Sequence, residues 1–157
     1  MVIGALADTH DNLPKIEKAV RFFNAKKASF VLHAGDFVSP FTIPKLKNLK
    51  CPWQGVFGNN DGERRGLTNA SLGAIREGPL TVELAGRSIV LVHDKSSIDT
   101  AGLKADVFIF GHTHTSHTGR EGGMLVVNPG ECSGWLTGKA SVALIDLDNL
   151  SARIFRI

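Results

Sequence analysis

The chain has 157 residues, of which 43% are hydrophobic and 21% charged, with a formal net charge of +3. That length suits one globular domain with its own core, and no apolar run approaches the roughly 20 residues that span a bilayer. The weak positive charge, with no arginine-rich stripe among aromatics, does not mark a nucleic-acid binder, and the isolated Cys51 and Cys132 form no disulfide framework.

VIGALA (2–7) reads as a buried strand that starts with no basic leader or cleavage site, so a cytoplasmic location is expected. Asn12 is placed to cap a helix with Pro14 in its first turn. Leu13, Ile16, Val20 and Phe23 recur at helical spacing and predict a helix over 13–25. SFVLHAG (29–35) is a second strand, 40–49 a short helix carrying Phe41, Ile43, Leu46 and Leu49, and WQGVFG (53–58) a third strand. This alternation calls for parallel strands with right-handed crossovers.

Residues 66–76 read as helix, and LTVELAGRSIVLVH (80–93) as a hairpin broken at AGR. A short helix is expected over 97–102 and a buried strand over 106–111. MLVVN (124–128), 140–148 and 151–157 complete a mostly antiparallel set, with the last turn at Asp148-Asn149. The fold class is α/β: two facing mixed β-sheets flanked by helices, an α/β/β/α sandwich in one domain over 1–157.

Five apolar runs end in residues that can hold a metal. They lead to Asp8 and His10, to Asp36, to Asn59, to His93, and to His112 and His114. Ligands collect beyond the carboxyl ends of strands in open α/β sheets. In an extended segment, side chains two apart share a face, which would pair Asp8 with His10 and His112 with His114. A carboxylate such as Asp36 can bridge two cations, and an amide oxygen from Asn59 is a neutral donor that leaves room for an anion. Mixed carboxylate, imidazole and amide donors suit Mn, Fe, Zn, Ni or Co. No cysteine is near, which speaks against a structural zinc site.

Asp8-Thr9-His10, Gly35-Asp36, Gly58-Asn59-Asn60-Asp61, His93 and Gly111-His112-Thr113-His114 resemble, in order, the motif blocks of the calcineurin-like metallophosphoesterase family. The length and Asn128-Pro129-Gly130 resemble its small single-domain, YfcE-type phosphodiesterase branch. The resemblance implies two divalent transition-metal ions, manganese first, with nickel, cobalt, zinc or iron as alternatives. One would be held by Asp8, His10, Asp36 and His114, the other by Asp36, Asn59, His93 and His112. A metal-bridging hydroxide would attack phosphorus in line. The catalytic group carried over is Asp36, His10, Asn60 and Asp61.

Two positions depart from that pattern. Asn60 stands where many members carry a histidine that contacts the phosphate and helps protonate the leaving group, steadied by the acid matching Asp61. An amide donates a hydrogen bond but delivers no proton. Asp94 replaces a common glycine and could orient His93 or face solvent.

Other residues take plainer readings. His33 is a core histidine, His117 a solvated loop histidine, and Arg64 and Arg65 surface charges able to steer an anion. Trp53 and Trp135 are packing residues, Asn128-Pro129-Gly130 a structural turn, and Cys132 a buried thiol. The absence of tyrosine excludes the tyrosine-ligated iron site of purple acid phosphatases.

The expected partner is a small phosphodiester, with neither nucleic acid nor membrane, and the apolar edge near the C-terminal strands would permit a homodimer. The rival readings are a phosphomonoesterase, a nuclease, and an interaction scaffold like the retromer subunit of this fold. A nuclease would need extra domains and a basic groove, and a scaffold would not need seven competent donors.

Overall fold

The computed structural model describes all 157 residues. Strand β1 (Val2–Leu6) leads into helix α1 (Leu13–Ala25), then β2 (Val31–His33), a 3-10 turn at Pro40–Thr42 running into α2 (Ile43–Leu46), and β3 (Trp53–Val56). Helix α3 (Arg64–Ser71), β4 (Ile75–Arg76) and the hairpin β5 (Leu80–Leu84) and β6 (Arg87–Leu91) follow. The rest is β7 (Val107–Ile109), β8 (His117–Glu121), β9 (Met124–Asn128), β10 (Ser141–Asp146) and β11 (Ser151–Arg156).

These strands form two mixed sheets. The first has the order β11-β10-β1-β2-β3-β4, and the second β5-β6-β7-β9-β8. Strand alternation sorts the side chains. Ile3, Ala5 and Ala7 of the first sheet meet Ile89, Leu91, Val107 and Ile109 of the second in the central core. Leu6, Val31 and Val142 turn the other way, onto Ile16, Val20 and Phe23 of α1 and Ile43 and Leu46 of α2. The outer face of the second sheet, with Phe108 and Phe110, is covered by Ile98, Leu103 and Ala105 of a segment whose only helical turn is a 3-10 turn at Lys95–Ser97.

Helix α1 starts where its cap places it. Asn12 Oδ1 accepts from the Lys15 N–H at 3.3 Å, and Pro14 sits in the first turn. The hairpin turn at Ala85-Gly86 has both φ angles positive, 51° and 71°, as a tight two-residue turn requires.

Four expectations need correction. The helix expected over 66–76 ends at Ser71, because Leu72 and Gly73 turn left-handed (φ 56° and 79°) and release the chain into β4. The helix expected over 97–102 is the shorter, earlier turn at 95–97, capped by Asp94, which accepts from the Ser96 N–H at 2.8 Å. The second half is less antiparallel than expected, since β6, β7 and β9 run parallel at the centre of their sheet. His117 opens strand β8, which has polar residues on both faces and so shows no apolar period.

Gly4 lets α1 approach the sheet. A Cβ there would lie 2.5 Å from Cε1 of the buried Phe23 ring. Phe23→Ala is expected to lower unfolding stability by about 3–5 kcal/mol. Gly4→Ala should also destabilise, by forcing that ring aside. Urea unfolding monitored by circular dichroism checks both.

Candidate metal centre

β1, β2 and β3 run parallel in one sheet, and β6 and β7 in the other. The loops after these strands carry Asp8, Asp36, Asn59, His93 and His112, and those loops are stitched together by their backbones. The Asp8 N–H donates to Gly35 O at 3.0 Å, His10 N–H to Asp36 O at 3.1 Å, and Gly111 N–H to His93 O at 2.9 Å.

Backbone strain concentrates here. Asp8, His10, Asp36, His112 and His114 are five of the eleven non-glycine residues with positive φ, between 39° and 65°. Such angles are costly and persist where surrounding contacts over-determine them. They also correct part of the shared-face expectation. The chain is not extended at these positions: Asp8 and His10 still meet in one group, whereas His112 and His114 point to different groups.

The first group is Asp8, His10, Asp36 and His114, with one potential ligand atom from each lying within 4.8 Å of all the others. His10 Nε2 is 3.4 Å from Asp36 Oδ2, and His114 Nε2 is 3.7 Å from Asp8 Oδ1. Asp8 is fully buried, yet neither of its oxygens accepts a hydrogen bond, and His10 Nε2 and His114 Nδ1 are likewise buried without a partner. An unsatisfied buried carboxylate is costly. Within the protein alone, burial pushes the Asp8 carboxyl up to about 8, and the nearby Asp36 charge adds to the shift. Burial likewise lowers His10 from its usual range, which favours the neutral imidazole that ligation requires. A divalent cation would satisfy the Asp8 carboxylate and His10 Nε2 together, with His114 Nε2 beside them as a further donor, so this group fits a metal ion.

The second group gathers around Asn59. Its Oδ1 lies 2.8 Å from His93 Nε2 and 2.9 Å from His112 Nδ1. His93 Nδ1 is 2.7 Å from the Ala34 carbonyl, which can only accept, so Nδ1 carries the proton. In the neutral ring that leaves a lone pair on Nε2 facing the amide oxygen, an arrangement an interposed cation would resolve. Asp36 joins the groups: its Oδ2 is 3.4 Å from His10 Nε2 and 3.5 Å from His93 Nε2.

Asn60, which stands where many members carry a histidine, clasps Asp36. Its backbone N–H donates to Oδ1 at 2.9 Å, and its side-chain amide to Oδ2 at 2.7 Å. Asp61 accepts from the N–H groups of Gly58 and Val38, both at 2.7 Å, and of Asp36 at 3.1 Å. It is therefore a brace between two loops, and it steadies the left-handed Val38 (φ 82°). Gly58 is obligatory, since a Cβ there would fall 2.1 Å from Asp36 Oδ1.

Asp94 does not orient His93. It approaches His112 Nε2 at 4.0 Å. His33 is a buried core histidine whose Nδ1 accepts from the Gly35 N–H at 3.1 Å, which puts its proton on Nε2, toward Thr9 Oγ1 at 3.1 Å. Arg64 is a surface charge paired with Glu77 at 2.7 Å. Asn128 is a structural residue, donating to Gly111 O and Thr113 Oγ1 at 2.9 and 3.0 Å. Both cysteines are free, and burial pushes Cys132 up to about 12.

Sequence reasoning missed Glu131. It is fully buried, stands 3.5 Å from His114 Nδ1, and accepts from the Leu136 and Thr137 N–H groups at 2.7 and 2.8 Å and from the Thr137 and Ser133 hydroxyls at 2.7 and 3.0 Å. Its only sequence signal is an acid following Asn128-Pro129-Gly130. Trp135, expected to pack, is 65% exposed.

Residues 1–150 match the calcineurin-like phosphoesterase superfamily domain, so the chain belongs to that family. It is 37% identical to a phosphodiesterase of Methanocaldococcus jannaschii over 161 residues, covering 98% of this chain and 97% of that one. A solved archaeal phosphodiesterase superposes with a TM-score of 0.92 at 37% identity, covering both chains fully. The E. coli phosphoesterase YfcE shares the fold, with a TM-score of 0.73 at 21% identity over 100% of this chain and 98% of that one. No helix is long and apolar enough to cross a membrane.

Burial alone would raise Glu131, but its hydrogen bonds, led by the Leu136 N–H, outweigh that and hold it at about 2. A depressed carboxyl stabilises fully above its unfolded value of about 4.5 and loses that contribution as pH falls toward 2. The loss should be on the order of 3 kcal/mol across that window. Denaturant unfolding as a function of pH checks this, and Glu131→Gln should flatten the window.

Proposed function

We propose that residues 1–157 act as one metal-dependent phosphodiesterase domain hydrolysing a small phosphodiester. The observation that carries this reading is Asp36 Oδ2, within 3.4 and 3.5 Å of imidazoles from two separate donor groups. The 37% identity to a phosphodiesterase across 98% of the chain supports it.

In this reading Asp8, His10, Asp36 and His114 hold one divalent transition-metal ion, and Asp36, Asn59, His93 and His112 hold a second. Manganese is the first choice, with nickel, cobalt, zinc and iron suited to the same donors. When bound, such a pair supplies Lewis acidity toward phosphoryl oxygens and lowers the pKa of water.

The chain's own residues do the rest. Asn60 fixes both Asp36 oxygens, and the Ala34 carbonyl fixes the His93 tautomer. The brace at Asp61 holds the Asp36 and Asn59 loops in register. Two carboxylate ligands for two dications leave the centre net positive, which favours an anionic diester. Asn60 contributes no proton to the leaving group. Esters with good leaving groups, such as aryl diesters, are therefore the preferred substrates.

Bis-p-nitrophenyl phosphate should be hydrolysed with manganese, nickel, cobalt or zinc, and chelation should abolish the activity. Inactivity with every metal while the fold is retained, or activity on the monoester p-nitrophenyl phosphate alone, would refute the proposal. Asp36→Asn should lower turnover by roughly 100-fold or more without unfolding the chain. Asn60→His, which gives up the amide bond to Asp36, should shift the ratio of alkyl to nitrophenyl turnover toward alkyl by roughly tenfold or more; unchanged leaving-group dependence contradicts the role given to Asn60.

A further inference from the structure

The loop after β9 exposes two large apolar side chains side by side, Trp135 (65% exposed) and Leu136 (78%). Together with His10, Asn60, His114 and Glu131 they line a recess of about 220 Å³ beside the metal centre. The loop that carries them is fixed. Glu131 holds the Leu136 and Thr137 N–H groups, the Ser133 N–H donates to Asp8 O at 3.0 Å, and Asn12 Nδ2 donates to Ser133 O at 2.7 Å. Gly134 turns with φ 69°, where an added Cβ would lie 3.1 Å from Ala140 N.

The indole itself is anchored. Trp135 Nε1–H donates to the His10 carbonyl at 3.1 Å. Its single polar group is therefore taken, and the exposed remainder is the apolar ring beside the methyl groups of Leu136. Such a surface offers no hydrogen-bond partner, only an apolar ring against which a flat aromatic group can stack. The recess is smaller than the roughly 300 Å³ of a drug-sized pocket, and suits one ring system.

We propose that Trp135, flanked by Leu136, is a stacking platform for an aromatic ester group, an aryl ring or a nucleobase, of a phosphodiester whose phosphate lies at the metal centre. The inference rests on the phosphodiesterase reading and narrows its substrate class. Trp135 sets specificity, and His10, whose backbone it grips, fixes the platform's position relative to the phosphate.

The test compares adenosine 5′-monophosphate with ribose 5-phosphate, which carry the same phosphate with and without a base. Binding to the manganese-loaded protein is measured by calorimetry and by inhibition of bis-p-nitrophenyl phosphate hydrolysis. The wild type should prefer the nucleotide by roughly five- to a hundredfold, the range of a base stacked on an aromatic ring. Trp135→Ala should erase that preference, the nucleotide losing more affinity than ribose 5-phosphate. Trp135→Phe, which keeps a ring but loses the N–H, should retain most of it.

A preference that survives in Trp135→Ala, or equal weakening of both ligands, overturns the proposal; the second outcome would mean that the indole only props the loop. Sedimentation showing a dimer that Trp135→Ala dissolves would also overturn it and make the pair a contact between copies. Diester hydrolysis without a base preference sinks the platform alone. A Trp135-dependent preference in calorimetry without any hydrolysis keeps the platform and sinks the phosphodiesterase.

Discussion

The Asp36 carboxylate is the constraint on which the site depends. It is 1% exposed, clasped by two donors from Asn60, and faces imidazoles contributed by loops of both sheets. Burying a carboxylate is unfavourable unless it is hydrogen-bonded or paired. Here the compensation comes from segments far apart in sequence, so the site and the packing of the two sheets are a single problem. The motif glycines belong to the same solution. A side chain at Gly58 would collide with the Asp36 carboxylate, and one at Gly35 would come within 2.7 Å of the His93 ring.

Two other acids hold the loops without belonging to either donor group. Asp61 ties the Asp36 loop to the Asn59 loop, and Glu131 ties its own loop into a strap beside His114. Each accepts hydrogen bonds from backbone N–H groups that no strand or helix would otherwise satisfy. With the backbone bonds from Asp8 to Gly35 and from His10 to Asp36, this bracing helps the left-handed angles at Asp8, His10 and Asp36 persist together. The architecture places donors by bracing turns rather than by the pleat of a strand.

Much of this was legible in the residues because the strongest signals are local. The helix over 13–25, the Ala85-Gly86 hairpin and the strand over 124–128 follow from period, cap and turn chemistry. The ordered motif blocks fall on loops that the fold brings together. What the sequence hid depends on distant partners. Strand β8 is polar on both faces and takes its identity from pairing with β9. Glu131 looks like any acid after a turn until His114 arrives beside it. Nothing local to Asn60 shows that Asp36 claims its amide. Trp135 read as packing because composition gives no hint that its ring is held outward.

The two outer faces of the sandwich are unequally protected. Helices α1, α2 and α3 close the first sheet, whereas Phe108 and Phe110 of the second lie under a segment with one short 3-10 turn. A cover of three partly buried apolar side chains with no regular helix means a low cost of local opening. Amide hydrogens on that side would therefore exchange with solvent sooner than those of β1. The segment begins at Asp94, next to His93 and 4.0 Å from His112, so breathing there would loosen the two imidazoles on the Asn59 side while leaving Asp8, His10 and His114 in place.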